Sequence, residues 1–271
     1  MKTAKTHPRV LLIANPQGDG MSMDLVAQEY AKKYTYAKIL KPKPVLGIKF
    51  FKHVLYPLML LFHRGYDAYH IVDHSYGHLV YALPRRKTII TCHDLIPLLF
   101  KHELSKKGMM LFKFYLSGLK RAKIIIADAV TKEQLSDLLK VPASKVKQMY
   151  HYIDLSDYKR LPNRSALRKK YGLENKKVVL SLGWGFYKNV AGTLKAFAKV
   201  KEKYPDAVLL KIGDFGDKEE KIIKELDLAK NIVTKMNVPE KELIELFNCA
   251  DVLSFPCIYE GFYRPPFEAM A

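Results

Sequence analysis

Two carboxylates near the end of the sequence have the type and spacing that could bind a sugar. Glu260 and Glu268 lie eight positions apart in YEGFYRPPFEAMA, on either side of a Gly-aromatic turn and a Pro-Pro pair. Glu260 follows the apolar run DVLSFP, and a carboxylate in such a loop accepts hydrogen bonds from sugar hydroxyls without competing as a donor. Glu268 has a second explanation, because Pro266 suits the start of a helix and a nearby Glu favours the positive end of the helix dipole.

An earlier segment has the composition of a phosphate-binding loop. In SLGWGFYKNVAG, two glycines, a lysine and an asparagine follow an apolar run and lead into a predicted helix. Exposed amide N–H groups, an uncapped helix N-terminus and a lysine in the first turn together form a diphosphate site. The alternative is that Asn189 caps the helix and that Lys188 points into solvent. The candidate residues of this Gly-Lys loop are Gly183, Gly185, Lys188 and Asn189.

Short apolar runs alternate with helical patterns along the whole sequence, which is typical of parallel sheets covered on both faces. We therefore predict an α/β fold with two Rossmann-like, doubly wound domains at residues 1–153 and 176–271, joined by a linker region at 154–175. The predicted strands are Arg9–Ala14, Ala68–Asp73, Lys87–Cys92, Lys123–Asp128, Lys177–Leu182, Ala207–Ile212, Asn231–Thr234 and Asp251–Pro256. The predicted helices are Met21–Lys33, Ser105–Ala122, Thr131–Lys140, Asn189–Lys203, Asp217–Leu228 and Pro239–Cys249.

The carboxyl ends of the strands are where such sheets bind ligands, because the loops there lead into helix N-termini. The Gly-Lys loop and Glu260 both follow strands of the second domain, so we expect them at the same sheet edge. In the first domain, Gly18 and Gly20 follow the first strand and either allow a close approach of the backbone to a ligand or form a tight turn. His93 follows a later strand and is either a site residue or a structural histidine.

The net charge of the chain is +19, and most of it lies in the first half. Residues 1–150 contain 25 Lys and Arg against 10 Asp and Glu, whereas residues 151–271 contain 21 against 17. Such a field attracts polyanions, so nucleic acid, an anionic membrane surface and a phosphorylated substrate are all candidate partners. The segment Lys41–Gly65 mixes basic and apolar residues, and is either an in-plane membrane contact or a core helix with a solvated basic face.

Nothing in the sequence directs the chain to secretion. The apolar run near the N-terminus breaks at Asn15-Pro16, which makes it too short for a signal peptide. Cys92, Cys249 and Cys257 have no metal-binding spacing, so we expect reduced thiols and no bound metal. The expected location is cytoplasmic, and peripheral at the inner face of the membrane if the basic, apolar segment binds lipid.

The motifs above carry a family resemblance that covers nearly the whole chain. ELIELFNCADVLSFPCIYEGFYRPPFEAMA resembles the signature region of family 4 glycosyltransferases, which carry two Glu separated by seven residues in a setting like EGFGxPxxEAMA. TCHDLIPLLF is similar to the family's His-Asp segment, and AKIIIADAVTKEQLSDLLKVPASKV to the helix unit before its domain linker. LGWGFYKNVAGTLKAFAKV is similar to its Lys-Asn phosphate helix.

The resemblance implies a retaining glycosyltransferase of the GT-B fold, in which two Rossmann-like domains face each other across a cleft. Such an enzyme moves a hexose from a nucleotide-diphosphate sugar to a glycan or lipid-linked acceptor, and it needs no metal or other cofactor. In the family the second Glu is followed by further C-terminal structure. The resemblance therefore implies a truncated second domain, with an inactive fragment as the alternative.

The resemblance also implies roles for individual residues. Lys188 would hold the donor diphosphate, Glu260 the hydroxyls of the transferred sugar, and Glu268 the ribose hydroxyls. His93 would face the sugar from the N-terminal domain, so the expected catalytic residues are His93, Lys188 and Glu260. The remaining expected donor-binding residues are Gly18, Gly20, Gly183, Gly185, Asn189, Gly261, Phe262, Tyr263 and Arg264.

The sequence departs from the family pattern at two positions. Trp184 follows Gly183, where the family commonly places an Arg shortly before the Lys, so the diphosphate would lose one cation. Tyr263 replaces the second Gly of EGFG, and Arg264 beside it could supply the missing charge.

Two other classes of protein share some of these sequence features. A nucleic-acid-binding or membrane-binding protein without catalysis would suit the charge, but no nucleic-acid recognition motif or aromatic platform is present in the sequence. A nicotinamide-dependent dehydrogenase needs GxGxxG after its first strand, and GDGMSM lacks the third glycine.

Overall fold

The computed structural model describes residues 7–19, 21–34, 36–149 and 155–271. The chain divides into two compact units, Met1–Tyr150 and His151–Ala271. Each unit is built on one parallel β-sheet whose buried apolar residues form the core. The predicted α/β class, with two Rossmann-like folds in succession, is confirmed.

The first unit contains a six-stranded sheet. Its strands are β1 (Arg9–Ile13), β2 (Tyr36–Leu40), β3 (Ala68–Ile71), β4 (Thr88–Thr91), β5 (Ile124–Ala127) and β6 (Val146–Gln148). They lie in the order β2-β1-β3-β4-β5-β6, and every neighbouring pair is parallel. The α-helices are α1 (Met21–Lys33), α2 (Ile48–Phe50), α3 (Tyr56–Leu60), α4 (Ile96–Leu99), α5 (Lys106–Arg121) and α6 (Ala129–Leu139), and a π-helical turn, Phe51–Leu55, joins α2 to α3.

Capping residues explain where the two long helices after β4 begin. The side chain of Ser105 accepts a hydrogen bond from the Gly108 amide at 3.1 Å at the start of α5. Asp128 does the same for the Thr131 amide at 2.9 Å at the start of α6. These bonds satisfy amide groups that have no partner inside the helix, so each cap sets the first residue of its helix.

The sequence pattern missed both edge strands of this sheet. β2 and β6 lie at the two ends of the strand order. In β2 no residue is fully buried, and in β6 only the first residue is. An edge strand does not need the continuous apolar run of a strand that is covered on both faces, so neither segment stood out by hydrophobicity.

The second unit contains a four-stranded parallel sheet. Its strands are β7 (Val178–Leu182), β8 (Val208–Ile212), β9 (Ile232–Lys235) and β10 (Val252–Leu253), in the order β10-β7-β8-β9. The helices are α7 (Arg164–Lys170), α8 (Val190–Lys203), α9 (Asp217–Glu225), α10 (Glu240–Cys249) and α11 (Arg264–Met270). Helix α7 lies inside the region that we expected to be a linker, and it packs against α10.

Asp251 joins three parts of the second unit. Its carboxylate accepts hydrogen bonds from the Val178 amide at the start of β7 at 2.8 Å, and from Arg164 of α7 at 2.7 Å. Arg168 of α7 lies 2.7 Å from the same carboxylate. Burial alone would raise the pKa of Asp251, but the Val178 amide and the two arginines outweigh it and lower the pKa to about 2.

We expect Asp251→Asn to destabilise the second unit by about 2 kcal/mol at pH 7, since each unit of pKa shift corresponds to about 1.4 kcal/mol. The folded-state pKa is below the ordinary value, so this stabilisation is present above about pH 4 and is lost as the pH falls through about 2. Urea unfolding of the variant and the parent at pH 7 and pH 3 measures it. Asp227→Asn, at a largely exposed carboxylate, is the matched control and should change stability by less than about 0.5 kcal/mol.

Candidate functional site

The Gly-Lys loop leaves the carboxyl end of β7 in a conformation that requires glycine. Gly183 and Gly185 have φ angles of 85° and 94°, which side chains rarely adopt. A short 3₁₀ turn, Phe186–Lys188, then leads to α8. A Cβ atom on Gly183 would lie 3.1 Å from the Cε atom of Lys188. The lysine side chain therefore runs directly over the Gly183 backbone.

Lys188 forms an ion pair with Glu260. Glu260 lies in the loop after β10, and β10 pairs in parallel with β7, so the two loops leave the same edge of the sheet. The two side chains are only 17% and 15% exposed. The rings of Tyr187 and Phe255 lie 5.4 and 5.3 Å from the Lys188 ammonium. Lys188 does not point into bulk solvent, so that part of the alternative is wrong. The sheet brings together Lys188 and Glu260, which we expected at the same edge.

Asn189 caps α8, which corrects the expectation of an uncapped helix start. Its backbone is in the left-handed region, with φ 52°, and its side-chain oxygen accepts from the Gly192 amide at 3.2 Å. Its side-chain nitrogen donates to the carbonyl of Pro256 at 3.1 Å, and the Ile258 amide donates to Tyr187 at 2.8 Å. These bonds tie the Gly-Lys loop to the loop that carries Glu260. Asn189 therefore caps the helix, as one alternative predicted, while Lys188 is paired with Glu260 instead of lying in solvent.

Glu268 lies in α11 and is 8% exposed. The Nε atom of Arg264, one turn earlier, donates to its carboxylate at 2.5 Å. Burial raises the pKa of Glu268, while Arg264 and a hydrogen bond from Tyr158 act in the opposite direction. Arg264 therefore neutralises Glu268 in this structure. The idea that Arg264 replaces a missing phosphate-binding cation gains no support from this contact.

The aromatic residues that follow and precede Glu260 in the sequence pack on one another. Phe262 stacks on Phe267 with ring centroids 5.2 Å apart, and Tyr263 meets Phe255 edge-to-face at 6.3 Å. Tyr263 is also the residue that precedes α11, and it is partly exposed. Gly261 lies between Glu260 and this aromatic cluster, in a bend without regular secondary structure.

The first unit has a polar cluster of its own at the carboxyl ends of β3 and β4. Asp73 is buried and accepts hydrogen bonds from Asn15 at 2.8 Å and from the amide and hydroxyl of Ser75 at 2.8 and 2.7 Å. Burial would raise the pKa of Asp73, but His74 and His93 together with these hydrogen bonds lower it. The ring of His93 is hydrogen-bonded through Nε2 to the Val72 carbonyl at 2.8 Å, and burial lowers its pKa.

These contacts show where the first unit places its expected site residues. His93 is half-buried and belongs to the Asp73 cluster, which the sequence pattern did not reveal. Gly18 has φ 86° and lies in a tight turn, where the Asp19 amide bonds to Pro16 at 3.1 Å. Gly20 lies outside the described residues. The proposed contacts of His93, Gly18 and Gly20 with a sugar donor remain predictions.

One functional residue of the second unit was not predicted from the sequence. Lys211 lies in β8, within the run AVLLKI that predicted the strand. It is fully buried and donates to the carbonyl of Gly183, in the Gly-Lys loop. Within the part of the chain that the structure describes, no group of three or more His, Cys, Asp or Glu side chains is placed to hold a metal ion.

The fold and this sheet edge define the class of protein. The chain superimposes on the Anabaena HepE protein solved with UDP and glucose, with a TM-score of 0.72 at 17% identity over 97% of this chain and 78% of that one. It superimposes equally on WaaG, a glycosyltransferase involved in lipopolysaccharide biosynthesis, with a TM-score of 0.72 at 15% identity over 96% and 78%. The fold is that of the GT-B glycosyltransferases.

Sequence comparison identifies the family of the second unit. Residues 163–271 match the family model described as "Glycosyl transferases group 1", so the chain carries a glycosyltransferase group 1 domain. It is 26% identical over 188 residues to the O-antigen chain mannosyltransferase RfbU of Salmonella typhimurium, covering 69% of this chain and 50% of that protein. It is 29% identical over 208 residues to a serotype-specific mannosyltransferase, WbdA, of Escherichia coli, covering 68% and 24%. The chain thus spans about half the length of one relative and a quarter of the other.

Proposed function

We propose that this chain belongs to a retaining glycosyltransferase that moves a hexose from a nucleotide-diphosphate sugar to a glycan or lipid-linked acceptor. The observation that carries the proposal is the pairing of Lys188 with Glu260 at the carboxyl edge of the second sheet. A sugar diphosphate presents anionic phosphates one bond away from a hydroxyl-bearing ring. A cation and a carboxylate in contact match those two parts of the donor.

The chemistry requires charge to move from the sugar to the phosphates. The bond between the sugar C1 atom and the phosphate oxygen breaks, and the diphosphate leaves with the electron pair. An acceptor hydroxyl attacks C1 from the same face, and its proton passes to the leaving phosphate. Negative charge grows on the phosphates in the transition state, so a fixed cation beside them lowers the barrier. In this proposal that cation is the Lys188 ammonium, and no metal takes part.

The names of the relatives suggest which sugar to test first. RfbU and WbdA are named as mannosyltransferases, and RfbU acts on an O-antigen chain. Mannose and a bacterial surface glycan are therefore the first donor sugar and acceptor class to test. HepE was solved with UDP, so uridine nucleotides belong in the experiment beside those of guanosine and adenosine.

The proposal is tested by thermal-shift screening of UDP-, GDP- and ADP-sugars, followed by a transfer assay with the sugar that binds. We expect one nucleotide sugar to raise the unfolding temperature of the second unit, because a ligand that binds only the folded state stabilises it. The inactive-fragment alternative predicts donor binding without transfer. Failure of every nucleotide sugar to shift unfolding would overturn the proposal.

We propose that the first unit contacts an anionic membrane through the segment Ile48–Leu60. In the segment Ile48–Leu60, Phe51, Tyr56 and Leu60 are buried, whereas Phe50, Val54 and Leu58 are exposed. The exposed face therefore carries three apolar side chains beside the exposed Lys49, whereas Lys52 lies over the rings of Tyr76 and Tyr115. Within the described residues, no helix combines the length and the apolarity needed to cross a bilayer.

We expect the chain to bind vesicles that contain anionic lipid more strongly than neutral ones. The binding should weaken as salt rises above about 0.1 M, where the Debye length falls below about 10 Å. Phe50→Ser combined with Leu58→Ser should reduce binding, whereas Val130→Ser with Leu138→Ser, at two comparably exposed apolar residues of α6, should not. Vesicle sedimentation measures all three proteins, and equal partition of the parent into both vesicle types would contradict the membrane interaction.

A further inference from the structure

A buried lysine lies directly beneath the Gly-Lys loop. Lys211 is in β8, between β7 and β9, and its side chain is 0% exposed. Its ammonium donates hydrogen bonds to the backbone carbonyls of Gly183 and, at 2.9 Å, of Ile212. The ring of Phe215 lies 5.6 Å from the charge. Burial of an ammonium costs free energy even when it is hydrogen-bonded, so packing alone does not account for a lysine at this position.

Gly213 makes room for this lysine, and Gly183 connects it to the site. A Cβ atom on Gly213 would lie 3.2 Å from Lys211 Nζ and 3.3 Å from the carbonyl oxygen of Gly183. A Cβ atom on Gly183 would contact the side chain of Lys188. Gly183 is therefore hydrogen-bonded to Lys211 and packed against Lys188.

We propose that Lys211 is a positioning residue for the donor diphosphate: it holds the Gly183 carbonyl, and through it the loop conformation that directs Lys188 towards Glu260. Its ammonium also adds a second positive charge, after that of Lys188, close to the loop at which the phosphates would bind. The identity of the ligand rests on the proposed function. The link between Lys211 and the loop can be tested without a ligand.

The protonation of Lys211 makes this arrangement sensitive to alkaline pH. Burial lowers the pKa of Lys211 to about 8, while Asp214 and Glu219 act in the opposite direction. The strand neighbours paired with it, Ser181 of β7 and Thr234 of β9, are uncharged. As the pH rises through about 8 the ammonium loses its charge, so its hydrogen bond to the loop weakens and the affinity of the site for an anion falls.

The loop contains its own spectroscopic probe. Trp184 is the single tryptophan of the chain, it lies between Gly183 and Gly185, and it is 73% exposed. Its fluorescence, excited selectively over tyrosine, therefore reports the loop conformation. We expect the emission of the parent chain to titrate with a midpoint near pH 8. In Lys211→Met the emission should be constant from about pH 7 to pH 9.5, because the titrating group is gone.

Lys235→Met is the matched control. Lys235 ends β9, next to β8, but its ammonium pairs with Glu242 at 2.9 Å rather than with the loop. The emission of this variant should titrate as in the parent. If Lys211→Met titrates like the parent, or if the parent shows no transition near pH 8, the positioning role is overturned.

Nucleotide binding tests whether Lys211 raises the affinity of the site for a diphosphate. Calorimetric titration with UDP, GDP and ADP at pH 7 and pH 9 should show the parent binding at least fivefold more weakly at the higher pH, the lower end of typical coupling between two sites. Lys211→Met should bind weakly at both pH values. Any difference between its two affinities measures the effect of pH on the nucleotide itself and is subtracted from the parent's. Equal affinity of the parent and Lys211→Met at pH 7 would overturn the positioning role. A Lys211-dependent Trp184 transition in a chain that binds none of UDP, GDP and ADP would instead overturn the proposed function and leave the link to the loop standing.

Discussion

Lys188→Ala is expected to weaken the binding of the nucleotide diphosphate by about 10- to 150-fold, because it removes a charge-assisted hydrogen bond worth roughly 1.5–3 kcal/mol. Turnover should fall further than binding. The leaving phosphates gain negative charge in the transition state, so the missing ammonium costs more there than in the ground state. Calorimetry with UDP and GDP and steady-state kinetics with the matching nucleotide sugar measure the two effects.

The ion pair adds a stability effect that the sequence did not suggest. A lysine exposed at a helix start would contribute little to folding, but removing Lys188 leaves the largely buried carboxylate of Glu260 without its partner. We expect a loss of about 1–3 kcal/mol from the unfolding free energy of the second unit. The double variant Lys188→Ala, Glu260→Gln should recover much of this stability and none of the binding. Donor affinity within twofold of the parent in Lys188→Ala would mean that the diphosphate site is misplaced.

Glu260→Gln should separate recognition of the sugar from recognition of the nucleotide. The carboxylate is proposed to accept hydrogen bonds from the hydroxyls of the transferred sugar, so its loss should weaken binding of the nucleotide sugar by about 10-fold or more. The affinity for UDP or GDP, which lack the sugar, should be equal or higher, because Lys188 is no longer neutralised by Glu260. Competition binding with the nucleotide and the nucleotide sugar gives both values for each protein.

Glu242→Gln is the control for Glu260→Gln. Glu242 is also paired with a lysine of the same unit, at 2.9 Å, but it lies on α10 next to β9 and not in either loop of the site. Its replacement should leave both affinities unchanged. A parallel loss of nucleotide and nucleotide-sugar binding in Glu260→Gln would show that the carboxylate supports the loop rather than the sugar.

The parts of the fold that could be predicted are those where burial dictates the residue type. The central strands β1, β3, β4, β7 and β8 are covered on both faces, so each is an apolar run, and helix α1 was predicted with the observed ends. The Gly-Lys loop was recognisable because positive φ angles at Gly183 and Gly185 restrict the choice of residue. The edge strands β2 and β6 of the first sheet could not be recognised in this way, because few of their residues are buried.

The side-chain geometry of the site could not be predicted, because it depends on contacts between residues far apart in the sequence. Lys188 and Glu260 are 72 positions apart and meet only because β10 pairs with β7. Lys211 stood within a predicted strand, and its role depends on the loop after a neighbouring strand. For Asn189 the sequence left open a helix cap with Lys188 in solvent or an uncapped ligand-binding loop; the structure has the cap, but with Lys188 paired to Glu260.

Photo-cross-linking tests most directly whether the nucleotide sugar binds at the carboxyl edge of the second sheet. The chain is irradiated with azido-nucleotide sugars of guanosine and uridine, and the labelled peptides are identified by mass spectrometry. We predict labelling within residues 163–271, in the loops that follow β7, β8 or β10, with loss of the label on competition by the unlabelled nucleotide and in Lys188→Ala. Labelling confined to the first unit, or labelling that excess nucleotide does not reduce, would contradict the account.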